Sequence, residues 1–427
     1  MKNNGICVAV INHGCKLNQF EGQALEQKFR EAGFGVTTFS KNMPPDITVI
    51  NTCTVTGKSD RKSRNSIYRA RDAKKPGGFV VVTGCYAQTN PGLLKKIEGV
   101  DLVVGNEHKP SLPEIVASLI KGQRYAVSKN SCFDFHDPEQ PGHSRVYVKV
   151  QDGCSMRCSY CKVPSARGNS RSRHPDEICS YVKRIAEKGY NEVVLTGINL
   201  GSYNYHGKRL PGLISLLMED EADCRIRLSS IEPVYFTEDL FHVLEHKRIA
   251  PHFHVPLQSG SERMLRLMKR PYSVTHYLDV VHTIKRTRPE SHIAADVMVG
   301  FPTETEREFF HTLNTIRKAG FASVHVFRYS PRDGTSASRL PDSVPHQVKS
   351  RRCRTVQSLA HRLNYIYRRM FLGRVLEAVF EKHGEWWEGI TENYIRVRVE
   401  SSSHLNRKKL PVKITRVEDK KTCGKLL

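Results

Sequence analysis

The chain has 427 residues, 39% hydrophobic and 26% charged, an ordinary globular composition that excludes intrinsic disorder and gives room for two to three domains. Lys and Arg total 67 against 43 Asp and Glu, a net charge of +24 that calls for a polyanionic partner. No apolar run reaches the length of a membrane-spanning helix and the stretch Ile6 to Ile11 is too short for a signal peptide, so a cytoplasmic protein without membrane contact is expected.

Residues 1–120 alternate apolar runs with helical stretches, ICVAVI, GQALEQKFREAG, DITVI, FVVV and DLVV, the pattern of a parallel α/β sheet. Three of the apolar runs reach a cysteine within a few residues: Cys15, Cys53 and Cys85. An open parallel sheet delivers the carboxyl ends of its strands to one edge, where ligands bind, so the three thiols would converge. Any one of them alone is equally at home as a buried thiol in a tight turn. Recurrence at the same place on successive strands, twice beside a Gly, favours a metal site. After Cys53 the run GKSDRKSRNSIYRARDAKK predicts a helix with Arg61, Arg64, Tyr68 and Arg71 on one face. Such a face either grips phosphates or is simply solvated.

Residues 121–144, polar and proline-bearing, read as a linker. From 145 a second alternation begins, with strand-like runs RVYVKV, EVVLTG, RIRLSS, HFHV, HIAADVMVG and SVHVFRY. Six strands with helices between them predict a partial (βα)6 barrel, since a full eight-unit barrel takes about 250 residues. Its active face lies at the strand carboxyl ends. This domain, 145–372, closes with a helix after Pro341 that sets Lys349, Arg351, Arg352, Arg354, Arg362, Arg368 and Arg369 against Asp342 alone. Residues 373–427 read as a small all-β barrel, in which Trp386, Trp387 and Tyr394 either stack unpaired bases or form the core.

Twelve cysteines in a reducing compartment point to metal or redox chemistry rather than disulfides. Only Cys154, Cys158 and Cys161 are tightly clustered, in the C-x3-C-x2-C array of QDGCSMRCSYCKVP, directly after the first barrel strand. A zinc ribbon would need a second cysteine pair nearby, and none follows. Three thiolates on one loop suit a 4Fe-4S cluster with one iron free of protein ligands, open to S-adenosylmethionine (SAM).

This array, with Tyr160 before its last cysteine, resembles the motif of the radical SAM superfamily. Together with GCKLNQFE, NTCTVT, TGCYAQ, VLTGINLGSY, SSIEP, HVPLQSGSERML and DVMVGFPTET, it makes nearly the whole chain resemble the methylthiotransferases. NTCTVT and LTGINLG are most similar to the type acting on threonylcarbamoyladenosine in tRNA, and the last segment resembles the RNA-binding TRAM domain. The resemblance implies two 4Fe-4S clusters: Cys154, Cys158 and Cys161 hold the SAM-binding one, and Cys15, Cys53 and Cys85 an auxiliary one. It also implies that the loop Thr196, Gly197, Ile198 and Asn199 meets the SAM amino group, although a plain tight turn reads as well. Glu232 and Gln258, polar residues at strand ends, are candidate SAM or substrate contacts, and Arg61, Arg64 and Arg71 candidate RNA contacts.

The implied reaction inserts a methylthio group at carbon 2 of N6-threonylcarbamoyladenosine beside the anticodon. That carbon-hydrogen bond has neither acidity nor a leaving group, so radical chemistry is required, and no side chain is assigned a catalytic role. The implied partners are the tRNA anticodon loop and an electron donor such as flavodoxin or ferredoxin. Three alternatives stay open: isopentenyladenosine in tRNA as substrate, an aspartate of a ribosomal protein as substrate, or a non-catalytic, metal-stabilised RNA-binding protein.

Overall fold

The computed structural model describes residues 5–123, 131–135, 137–138, 144–219 and 224–427. The chain divides into two compact units, one of residues 1–141 with 152–156 and 161–170, the other of 142–151, 157–160 and 171–427. The cysteine loop therefore contributes to both units. The boundary expected at 372 falls inside the second, and much of the expected linker 121–144 lies outside the described residues. No helix among the described residues is long and apolar enough to cross a membrane.

The first unit is built on five parallel strands, β1 (Cys7–Asn12), β2 (Gly35–Thr37), β3 (Ile47–Thr52), β4 (Phe79–Gly84) and β5 (Leu102–Val103), in the order β2-β1-β3-β4-β5. Every residue of β3, ITVINT, is buried, as the central strand of a sheet covered on both faces requires. Three helices follow these strand ends: α1 (Lys16–Glu31) directly behind Cys15, α2 (Gly57–Asp72) a short turn after Cys53, and α3 (Cys85–Thr89), which opens on Cys85 itself. The Thr56 hydroxyl caps α2 by accepting from Ser59 N at 3.1 Å. The strand order reverses between β1 and β3, which opens a crevice at their carboxyl ends. A short helix, α4 (Val163–Arg167), also belongs to this unit.

The second unit carries the six expected strands, β6 (Val146–Lys149), β7 (Glu192–Thr196), β8 (Arg225–Leu228), β9 (His252–His254), β10 (His292–Val299) and β11 (Ser323–Arg328). They form two parallel three-stranded sheets, joined by the bridges Ile226 to Ile249 and Ser230 to His254. The result is a partial barrel whose strands pack Val148, Leu195, Leu228, Val255 and Val297 into one buried core with helix residues such as Ile178, Leu213 and Tyr277. A 24-residue helix, α5 (His346–Arg369), leads to a closed barrel of β12 (Val375–His383), β13 (Trp386–Thr391), β14 (Arg396–Val399), β15 (Lys409–Val417) and β16 (Thr422–Leu426). The fold is α/β with a terminal all-β barrel, as the patterning implied.

A buried ionic knot ties the two barrels together. Glu192 accepts from Arg225 Nε and from Arg227 Nε, both at 2.7 Å. Arg227 also donates to the carbonyls of Thr391 at 3.1 Å and Glu392 at 3.0 Å. Burial would raise the Glu192 pKa, but the Arg227 and Arg225 guanidiniums outweigh it and hold the group at about 2. Glu192 and Arg227 side chains are 0% exposed, so Glu192→Gln would strand two guanidiniums in the interior. The expected loss is about 3 to 5 kcal/mol, seen as a lower urea midpoint. Because the folded pKa is depressed, this contribution is complete above the ordinary carboxylate range and disappears as pH falls through about 2.

Candidate functional site

In the first unit the strand ends bring Cys15, Cys53 and Cys85 to one edge. Thr52 pairs in register with Gly84, so the next residue on each strand is a cysteine. Gly14 is needed beside Cys15: its φ is +104°, and a Cβ there would lie 2.7 Å from Cys53 Sγ. Gly84 is needed before Cys85 for the same reason, since its φ is +96° and a Cβ would fall 2.4 Å from Thr52 O. Side chains stitch the turns together. Asn18 Nδ2 donates to His13 O at 2.7 Å and Thr52 O at 2.9 Å, and Thr52 Oγ1 donates to Thr83 O at 2.5 Å.

Cys15 is exposed, whereas Cys53 and Cys85 are buried. Burial pushes the Cys53 thiol up to about 11, and the neighbouring Cys15 and Cys85 push in the same direction. Thiols this close together disfavour joint ionisation, a penalty that bound iron removes. Among the described residues no three His, Cys, Asp or Glu side chains close on a single ion. A cluster places each thiolate on a different iron and so suits a wider set. The donor chemistry and the glycine cradle fit an iron-sulfur cluster.

In the second unit the barrel gathers the candidate contacts at its strand carboxyl ends. Gly197 and Asn199 follow β7 and close on Gln151, which accepts from Asn199 N at 3.0 Å. A Cβ on Gly197 would lie 2.7 Å from Gln151 Oε1. Thr196, the last residue of β7, receives Val150 N at 3.0 Å. Gln258 has φ +63°, an unusual value for a residue with a Cβ, and is held between Asp296 O at 2.7 Å and Met298 N at 2.8 Å. Strain of this kind collects at ligand sites.

Glu232 pairs with Arg270, whose Nη1 donates to Cys158 Sγ at 3.3 Å and whose Nε donates to Tyr272 Oη at 3.0 Å. Arg270 thus holds the Cys158 sulfur in a fixed position through this hydrogen bond. Cys161 Sγ receives Val163 N at 3.4 Å, and Cys154 N is fixed to Gly168 O at 3.0 Å, both within the first unit. Arg270 and Gln151 escaped the sequence reading. Arg270 sits in a run of ordinary basic composition, and the fold alone pairs it with Cys158.

The arginine face on α2 is less open than expected. Arg61 is exposed. Arg64 is half-buried, donating to Tyr86 Oη at 2.9 Å, and Arg71 bonds Asp72 and stacks on Tyr68 with its guanidinium 5.1 Å from the ring centre. The α5 basic run is divided: Lys349, Arg352 and Arg368 are buried, whereas Arg351, Arg354, Arg362 and Arg369 are exposed. Lys349 meets Asp342 at 2.6 Å, Arg352 meets Glu304 at 2.7 Å, and Arg351 meets Glu306 at 2.7 Å. Asp342 is therefore not its only counter-charge, because acids before the helix fold onto it. In the terminal barrel Trp387 is core, Trp386 is exposed, and Tyr394 stacks on His252 at 4.0 Å between ring centres. Of the three aromatics, Trp386 alone stands open to a base.

Residues 148–316 match the model of the radical SAM superfamily, and residues 7–105 that of uncharacterized protein family UPF0004. A radical S-adenosylmethionine methyltransferase, TsrM, from Kitasatospora setae shares the fold, with a TM-score of 0.58 at 15% identity over 75% of this chain and 72% of that one. Barrel, cysteine loop and match together define a radical SAM enzyme. The chain is 36% identical to threonylcarbamoyladenosine tRNA methylthiotransferase MtaB of Bacillus subtilis, over 95% of this chain and 93% of that protein. It is 38% identical to the Aquifex aeolicus protein of the same name, over 94% and 98%. The chain belongs to the radical SAM tRNA methylthiotransferases.

Proposed function

We propose that this enzyme methylthiolates carbon 2 of N6-threonylcarbamoyladenosine beside the anticodon of tRNA, using SAM and two 4Fe-4S clusters. The observation that carries the chemistry is the gathering of Cys15, Cys53 and Cys85 at one sheet edge in a chain that already holds the triplet Cys154, Cys158 and Cys161. The substrate reading rests on relatives named for threonylcarbamoyladenosine, which match from end to end. When bound, the triplet's cluster supplies the electron that opens SAM to a carbon radical, and the auxiliary cluster supplies sulfur.

The protein's own groups bind and orient. Arg270 holds Cys158 and is itself held by Glu232 and Tyr272. The Thr196 to Asn199 loop, fixed by Gln151, presents main-chain groups to the SAM amino acid portion, and the strained Gln258 faces SAM or the substrate base. Arg61 on α2 and Trp386 on the terminal barrel, both exposed, serve as phosphate and base contacts for the anticodon arm. A flavodoxin or ferredoxin supplies electrons, and a tRNA substrate sets the reaction in the cytoplasm.

Nucleoside mass spectrometry of tRNA from a strain lacking the gene tests this. The methylthio form of threonylcarbamoyladenosine should vanish, its unthiolated precursor should accumulate, and restoring the gene should reverse both. Loss of methylthio-isopentenyladenosine instead, or an unchanged nucleoside profile, would overturn the substrate assignment.

A further inference from the structure

Four charged side chains lie buried together in the first unit. Arg167, the last residue of α4, donates through Nη1 to Glu21 at 2.9 Å and to both oxygens of Asp152 at 3.0 Å. Its Nη2 donates to Glu21 at 3.0 Å and to Asn18 Oδ1 at 2.5 Å. Lys109 completes the set, on Glu21 at 2.6 Å. None of the four charged side chains is more than 3% exposed. Well-packed apolar groups in such a place stabilise a fold as much or more, so stability alone does not account for the cluster.

The structure shows what else it does. An amide side chain has one acceptor end and one donor end. Because Arg167 occupies the oxygen of Asn18, the Asn18 NH2 must face the other way, where it holds His13 O at 2.7 Å and Thr52 O at 2.9 Å. Those carbonyls belong to the turns that present Cys15 and Cys53. The third turn is reached from the same segment: Asn106 Nδ2 donates to Ala166 O at 2.7 Å and lies 3.9 Å from Cys85 Sγ.

We propose that Arg167 is a positioning residue for the auxiliary cluster: from the segment behind Cys161 it fixes, through Asn18, the turns that carry Cys15 and Cys53. This rests on reading Cys15, Cys53 and Cys85 as the cluster's ligands. The consequence is that the first 120 residues, although they hold all three thiols, form a complete site only with the 152–170 segment in place. Assembly of the auxiliary site is thereby tied to the stretch of chain that bears the SAM triplet.

The test uses the full chain with Cys154, Cys158 and Cys161 replaced by Ala, so that any cluster signal is auxiliary. The parent of this series should take up about four irons on anaerobic reconstitution. Replacing Cys15, Cys53 and Cys85 as well should leave none, and iron remaining there would refute the ligand reading itself. Two changes then address Arg167: Arg167→Lys keeps the charge and loses the fork, and Asn18→Ala leaves all four charges untouched. Each should alter the EPR spectrum of the reduced cluster or lower its occupancy, with circular dichroism unchanged. The double variant should be no worse than the more severe single one, as expected when one residue acts through the other. If Arg167→Lys fails to fold, Asn18→Ala decides by the same spectrum. A parental spectrum and iron content in Asn18→Ala, or additive effects in the double variant, would overturn the proposal.

Discussion

Replacing Cys154, Cys158 and Cys161 together by Ala is expected to abolish SAM cleavage while leaving about four irons per chain, the content of one remaining cluster. The variant should fold, because none of the three side chains belongs to a buried core. The apolar core of the second unit instead gathers Val148, Leu195, Leu228 and their neighbours with the helices packed on them. Arg270 would lose its acceptor at Cys158 but keep Glu232 and Tyr272, so no guanidinium is left stranded. Iron and sulfide analysis after anaerobic reconstitution, with chromatographic assay of deoxyadenosine, reads both quantities at once. Complete loss of iron would mean that the two cysteine sets do not act as independent sites. Retained cleavage would remove the triplet from the chemistry.

The backbone of this picture was legible because periodicity encodes it. Six apolar runs between 145 and 329 became six parallel strands, and the runs ahead of Cys15, Cys53 and Cys85 became β1, β3 and β4. Spacing also sufficed for the cysteine array, whose three members lie within eight residues. What periodicity cannot encode is what covers a face. Arg61, Arg64 and Arg71 do share one side of α2, yet Tyr86 from the α3 turn takes up Arg64, and nothing in the α2 sequence announces it. On α5 the acids that neutralise Arg351 and Arg352 come from Glu304 and Glu306, more than forty residues upstream.

Trp387 and Tyr394 look alike as aromatics in a basic β segment, but strand alternation sends one into the core and the chain's return sets the other on His252. The sequence does carry one signal for the buried cluster. Asn18 and Glu21 fall on the same stripe of α1 as Leu17, Phe20, Ala24 and Leu25. Polar groups on an apolar stripe require buried partners.

Replacing Cys15, Cys53 and Cys85 by Ala should separate the two halves of the reaction. Methylthiolation of tRNA should cease, while SAM is still opened to deoxyadenosine without product. The reason is that the two sets sit on different elements: these thiols follow strands of the first unit's sheet, whereas Cys154, Cys158 and Cys161 share one separate loop, of which Cys158 lies in the second unit with Arg270, Glu232 and the strained Gln258. Cys53 and Cys85 are buried, so two truncations remove packing, but a Cys to Ala change deletes a single heavy atom and leaves the strand core of Val49, Ile50, Val81 and Val82 intact. A one-pot assay of the variant with tRNA, SAM and reductant, scored for deoxyadenosine and for the methylthio nucleoside, gives the decisive ratio. Continued methylthiolation would dismiss the auxiliary site. Loss of both products, with about four irons still bound, would show instead that the first unit is needed before SAM can be opened at all.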